Sequence, residues 1–122
     1  MATIMVVDDS GYARRTHRRI LETGGHSVIE ATSGMEAIEG YFLHRPELVL
    51  LDLSMEDIGG LDVLRKLREM DPGARVVVIS ADVQRSTGQL VAEAGALRFL
   101  GKPAAAEQLL ATVSELLQGV SP

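Results

Sequence analysis

Cysteine is absent from the 122 residues, which removes disulfide stapling and any thiolate metal site at once. Stability has to come from packing, and the absence suits a reducing cytoplasm, the expected location. A long apolar run is missing as well. The longest, such as Leu48 to Leu51 and Val76 to Ile79, fall far short of the roughly 20 residues that cross a bilayer, so a membrane span is excluded on length. The N-terminus carries no basic stretch, apolar segment and small-residue cleavage site of the secretory kind. Excess positive charge is also lacking: at a net −5 the chain offers no concentrated basic face for nucleic-acid phosphates, and no direct nucleic-acid partner is expected. Finally, no Gly-rich phosphate loop of the GxGxxG or Walker type follows the first apolar stretch.

What is present fits one soluble globular domain. Apolar residues make up 46% and charged residues 24%, and the length suits a single core with no room for a second module. Residues 1–122 are expected to form that one domain, with only Gly119 to Pro122 after the last helix. Apolar stretches of strand length recur at Ile4 to Val7, Val28 to Ala31, Leu48 to Leu51, Val76 to Ile79 and Leu97 to Leu100. Most are continuous rather than alternating, the mark of strands covered on both faces. The second, with Glu30, reads as closer to an edge.

Between these stretches the apolar residues return with helical period. The stripes are Ala13, Ile20 and Leu21; Ala37, Ile38, Tyr41 and Phe42; Leu61, Leu64, Leu67 and Met70; Leu90, Val91 and Ala94; and Leu109, Leu110, Val113, Leu116 and Leu117. Turn residues at Gly24 and Gly25, Pro46, Pro72 and Gly73, Gly95, and Gly101 to Pro103 fall between the segments. Five βα repeats with right-handed crossovers predict an α/β fold, a flavodoxin-like, doubly wound five-stranded parallel sheet of order 2-1-3-4-5 with five helices.

In that topology the carboxyl ends of strands 1, 3, 4 and 5 meet along one edge. Asp8 and Asp9 follow the first strand, Asp52 the third, Ser80 the fourth and Lys102 the fifth. Each alone has a structural reading, such as a helix cap or a turn. Together they form an acidic cluster that needs a cation. Mg²⁺ suits a site of carboxylates, a carbonyl and a phosphoryl oxygen, whereas zinc is disfavoured with no Cys and with His17, His26 and His44 expected elsewhere.

The segments VVDDS at 6–10, LVLLDLSM at 48–55, GGLDVLRKLR at 59–68, VVVISA at 76–81 and FLGKP at 99–103, in this order and at these separations, resemble the response-regulator receiver domain of two-component phosphorelays, in its stand-alone chemotaxis-regulator-like form. The resemblance implies that Asp52 is the phosphoacceptor. It implies that Asp8, Asp9, Asp52 and the backbone carbonyl of Ser54 hold Mg²⁺, and that Lys102 contacts a phosphoryl oxygen beside a cis Lys102–Pro103 bond. Ser80 becomes the switching hydroxyl, Phe99 the aromatic coupled to it, and Asp82, with Ser54, modulates acyl-phosphate lifetime. Implied partners are a histidine kinase or phosphotransfer protein, an unidentified downstream protein, and a second copy docked through helix 4, strand 5 and helix 5.

Some residues depart from the family pattern. Met55 stands where receivers often have Pro, and Glu56 and Asp57 read as solvated loop residues. Arg14, Arg15, Arg18 and Arg19 read as a solvated face of the first helix, with docking to an acidic partner as the functional alternative. A switch of this kind is not a turnover enzyme. The competing readings are a receiver excised from a larger regulator, an aspartyl-phosphate phosphatase of the haloacid-dehalogenase type, whose second Asp is replaced here by Ser54, and a flavodoxin-like cofactor binder suggested by fold alone.

Overall fold

Runs rich in valine, isoleucine and leucine become the strands β1 (Thr3–Val7), β2 (Ser27–Ala31), β3 (Leu48–Asp52), β4 (Val76–Ser80) and β5 (Arg98–Gly101). Helices α1 (Gly11–Thr23), α2 (Gly34–His44), α3 (Gly60–Met70), α4 (Arg85–Glu93) and α5 (Ala106–Leu117) alternate with them. The computed structural model describes residues 2–55 and 57–118; Glu56 and the Gly119 to Pro122 tail lie outside the described residues. All four strand pairings are parallel and the order is β2-β1-β3-β4-β5, the doubly wound arrangement that the repeat pattern predicts.

Every residue of β3 and β4 is buried, because alternate side chains feed two separate cores. Met5, Val7, Val49, Leu51, Val76 and Val78 face Ala37 and Tyr41 of α2, Val63, Leu64 and Leu67 of α3, and Val91 of α4. Ile4, Val6, Leu48, Leu50, Val77 and Ile79 face Leu21 of α1 and Leu109 and Val113 of α5. Each such side chain contributes about 1.5–3 kcal/mol by leaving water. Two helix starts are capped by hydroxyls: the Ala13 amide donates to Ser10 Oγ at 3.2 Å and the Glu36 amide to Ser33 Oγ at 3.1 Å, which fixes where α1 and α2 begin.

Three apolar positions depart from expectation. β5 starts at Arg98 rather than Leu97, and Leu97 is exposed. Phe42 and Leu90, counted in the core stripes of α2 and α4, are 66% and 48% exposed. The reason is angular. Tyr41 and Val91 already occupy the inward positions, and a neighbour in sequence is turned about 100° away around a helix of 3.6 residues per turn.

Candidate functional site

The strand register brings the predicted polar residues to one edge. Asp52 is the last residue of β3 and lies opposite Ile79, while Ser80, the last of β4, lies opposite Gly101. The Lys102 amide then donates to the Ser80 carbonyl at 2.9 Å, the Leu53 amide to the Ile79 carbonyl at 3.2 Å and the Asp8 amide to the Ala31 carbonyl at 3.1 Å. These bonds continue the ladders one residue past the strands and hold Asp8, Leu53 and Lys102 in place. Parallel strands all end on the same side, so the clustering follows from topology.

Charge is crowded here. Ligand oxygens of Asp8, Asp9 and Asp52 lie within 4.8 Å of one another. Asp8 and Asp52 are buried, whereas Asp9 is exposed. The Lys102 ammonium donates to Asp8 Oδ2 at 2.8 Å and stands 3.7 Å from Asp52 Oδ1. The Ser10 amide donates to Asp8 Oδ1 at 2.9 Å and the Ser54 amide to Asp52 Oδ1 at 3.3 Å. Lys102–Pro103 is cis, as the resemblance implies. One ammonium faces three carboxylates, and this excess of negative charge in an oxygen-only donor set fits a hard divalent cation such as Mg²⁺.

The imbalance bears on the protonation of Asp52. Burial, reinforced by the Asp8 charge, pushes Asp52 up to about 6 from an ordinary 3.8, against the opposing pull of Lys102 and the Ser54 amide. Burial draws Lys102 down, but its hydrogen bond to Asp8 and the charges of Asp52, Asp8 and Asp9 outweigh that and leave it raised. Because the folded state holds the Asp52 proton more tightly than the unfolded chain, stability falls as pH rises from about 4 through about 6. Asp52→Asn removes this cost. The variant is expected to exceed wild type in stability by about 1–3 kcal/mol at neutral pH without divalent ions, with the gap closing near pH 4. Equal denaturation midpoints at neutral pH would contradict the assignment of buried, repelled charge.

Ser80 is buried, and its Oγ accepts the Asp82 amide at 3.0 Å, so its own proton is left for another acceptor. Asp82 is tied to the start of α4, its carboxylate accepting the Gln84 amide at 3.1 Å and the Thr87 hydroxyl at 2.8 Å. Phe99 is partly buried on β5 against Gly88 of α4, where an added Cβ would meet the ring at 3.4 Å. Asp82 and Phe99 therefore bear on the same short helix, and Ser80 is linked to it through Asp82.

Other residues are placed differently from expectation. Asp57 is not a free loop residue: its carboxylate accepts the Gly34 and Met35 amides at 2.9 and 3.1 Å, which lowers its pKa and ties the loop after Asp52 to the start of α2. Two of the four arginines are committed within the fold. Arg14 and Arg18 both bind Glu30, at 2.9 and 2.6 Å, and Arg14 also donates to the Asp8 carbonyl at 2.8 Å. Arg15 and Arg19 remain exposed. His17, expected away from the site, is buried and lines a cavity of about 190 Å³ with Ser10, Thr16 and Lys102. Its spacing of four from both Ala13 and Leu21 was the available signal. The pairings of Asp57 and Glu30 bridge separate elements and leave none.

Comparison with known proteins agrees with this fold. The family profile described as response regulator receiver domain matches residues 4–114. The chemotaxis protein CheY of Bacillus subtilis is 34% identical over 115 residues, covering 93% of this chain and 96% of that protein. The response regulator MprA of Mycobacterium sp. (strain KMS) is 39% identical over 119 residues, which are 98% of this chain but 52% of MprA, so the chain spans about half of that relative. Among solved structures, the CheX-CheY-BeF3-Mg+2 complex from Borrelia burgdorferi superposes with a TM-score of 0.91 at 29% identity, covering 94% of this chain and 88% of that one. The chain belongs to the response regulator receiver domain family.

Proposed function

We propose that this receiver domain, residues 1–122, takes a phosphoryl group onto Asp52 from a histidine kinase or phosphotransfer protein and signals through altered protein contacts. The observation that carries the proposal is the buried Asp52 carboxylate at the sheet edge, 3.7 Å from the Lys102 ammonium and grouped with Asp8 and Asp9. An Asp52 oxygen attacks phosphorus as the bond to the donor's imidazole nitrogen breaks, and the imidazole leaves with that electron pair. The product is an acyl phosphate. Mg²⁺, held by Asp8, Asp9, Asp52 and the Ser54 carbonyl, would supply positive charge toward the phosphoryl oxygens.

The protein's own groups do the rest of the positioning. Lys102 faces the developing charge, and in a loose phosphoryl transfer such neutralisation and alignment make up most of catalysis. The Ser80 hydroxyl donates to a phosphoryl oxygen only once that oxygen exists, which biases the Ser80–Asp82 turn and the start of α4. Phe99, which lies against Gly88 here, then turns inward. Full reversal of such an equilibrium, from 1:99 to 99:1, needs about 5.5 kcal/mol of differential contact. Asp82, held to Gln84 and Thr87, modulates how long the acyl phosphate lasts. The output face is α4, β5 and α5, where Val83, Leu90 and Leu97 are exposed, for a downstream protein or a second copy. Exposed Arg15 and Arg19 of α1 are free to dock an acidic surface of the donor protein. The Borrelia neighbour, described with BeF3, Mg and CheX, supports both the metal and a protein partner.

The test is intact mass after incubation with a small phosphodonor and Mg²⁺. Wild type is expected to gain one phosphoryl group, and Asp52→Asn none. An adduct retained by Asp52→Asn would overturn the acceptor. Steady turnover of a phosphate ester would instead identify a phosphatase.

A further inference from the structure

Arg14 of α1 reaches the acidic residues through the backbone rather than through a carboxylate. Its Nη1 donates to the Asp8 carbonyl at 2.8 Å, while its Nε donates to Glu30 Oε1 at 2.9 Å. The other oxygen of Glu30 accepts Arg18 Nη1 at 2.6 Å, and Arg18 Nε donates to Glu22 at 3.0 Å. Residues 14 and 18 are four apart on one helix, so both arginines fall on the same face. Glu30 belongs to the edge strand β2, in register with Val6 of β1.

As an ion pair alone this would matter little. Arg14 and Glu30 are 17% and 25% exposed, and pairs within reach of water are worth about 0–1 kcal/mol. What sets Arg14 apart is the atom it holds. The Asp8 carbonyl belongs to the peptide that joins Asp8 to Asp9, and a peptide is planar, so fixing that oxygen also fixes the amide from which Asp9 departs. The Asp8 amide is already tied to the Ala31 carbonyl at 3.1 Å, and its carboxylate accepts the Ser10 amide at 2.9 Å. Asp9 is exposed, so its aim depends on the backbone that carries it. A guanidinium suits this task because its donors form a rigid fork that an ammonium lacks.

With Asp8 and Asp9 read as ligands of Mg²⁺, on which this rests, we propose that Arg14, oriented by Glu30, is a positioning residue that holds the Asp8–Asp9 turn in the form that takes the metal. Charge alone would act in the opposite direction. A cation beside three carboxylates lowers their attraction for Mg²⁺, so removing it would tighten binding. Removing a bond that orients the ligands loosens it, usually by about 10–100-fold.

Titration with Mg²⁺, followed in the backbone amide spectrum, tests this without any phosphodonor. Arg14→Gln is expected to raise the dissociation constant about 10-fold, and Arg14→Lys, which keeps the charge but not the fork, to raise it similarly. Glu30→Ala should give a smaller rise, and the double variant Arg14→Gln with Glu30→Ala should bind no more weakly than Arg14→Gln, because the pair acts as one unit. Arg19→Gln, an exposed change of equal charge on the same helix, should not weaken binding. A cooperative melting transition checks that each variant is folded; should Arg14→Gln fail that check, Glu30→Ala decides alone, with unchanged affinity overturning the role. Unchanged or tighter binding in Arg14→Gln, wild-type binding in Arg14→Lys, or losses that add in the double variant would also overturn it and leave the metal site standing. A wild type that ignores Mg²⁺ would instead overturn the ligand set, and this role with it.

Discussion

Replacing Lys102 with Ala is expected to slow phosphoryl uptake from a small phosphodonor by about 10²–10³-fold, the usual loss when one preorganised donor to a developing anion is removed. The ammonium stands 2.8 Å from Asp8 and 3.7 Å from Asp52, so its loss has a second effect. Asp8 is 1% exposed and would be left as a buried carboxylate without its cation, a strongly destabilising change. Divalent cation can take over part of that compensation. The two effects therefore separate: Mg²⁺ should recover most of the variant's thermal stability while leaving its transfer rate low. Lys102→Ala reacting at the wild-type rate would remove Lys102 from the chemistry and leave it a structural counterion.

Gly60→Ala is expected to cost about 3 kcal/mol, the upper part of the usual overpacking range, and to impair phosphorylation as well. A Cβ at Gly60 would lie 2.5 Å from Leu53 Cα, 2.7 Å from the Asp52 carbonyl oxygen and 2.8 Å from the Leu53 carbonyl oxygen. All three are backbone atoms at or just beyond the end of β3. They cannot rotate aside as a side chain would. Either α3 lifts off the sheet, exposing Val63, Leu64 and Leu67, or the segment carrying Asp52 moves relative to Asp8 and Lys102. Gly59 is the control: a Cβ there meets nothing within 4 Å, and Gly59→Ala should stay within about 0.5 kcal/mol of wild type. Equal denaturation midpoints for the two variants would show that the close approach is not a real constraint.

Much of the fold was legible because burial on both faces leaves a direct trace in sequence. Leu48 to Leu51 and Val76 to Ile79 read as continuous apolar runs and are buried throughout. Once those runs are parallel strands, Asp52 and Ser80 at their ends, with Asp8 and Lys102 just beyond theirs, are brought to one edge by connectivity alone. Side-chain pairing across elements was not legible. Nothing near Asp57 in sequence indicates that its partners are Gly34 and Met35, and nothing near Arg14 or Arg18 points to Glu30. Periodicity also could not tell the inward Tyr41 from the outward Phe42, since both are aromatic and adjacent. That ambiguity concealed the exposed α2 face until the neighbouring elements were in place.

The loop after Asp52 is fastened from two directions, by the Gly60 amide to the Leu53 carbonyl at 3.0 Å and by Asp57 to the start of α2. Ser80 accepts the Asp82 amide, and Asp82 is fastened to the start of α4. Both sides of the Asp52 site are thus tied by hydrogen bonds, and only on the Ser80 side does a hydroxyl take part that can donate to a group arriving at Asp52. The proposed movement on the α4 side requires that hydroxyl to reorient.

The most direct measurement of the convergence at Asp52 is the backbone amide spectrum recorded on adding Mg²⁺ and then beryllofluoride, a phosphoryl mimic. The expected result is a first response confined to residues around Asp8, Asp9 and Asp52 to Ser54. A second response should then include Ser80 to Asp82, Lys102 and the first turn of α4, and Asp52→Asn should abolish it. An unchanged spectrum, or a beryllofluoride response that persists in Asp52→Asn, would contradict the placement of the acceptor, the hydroxyl and the ammonium in one working site.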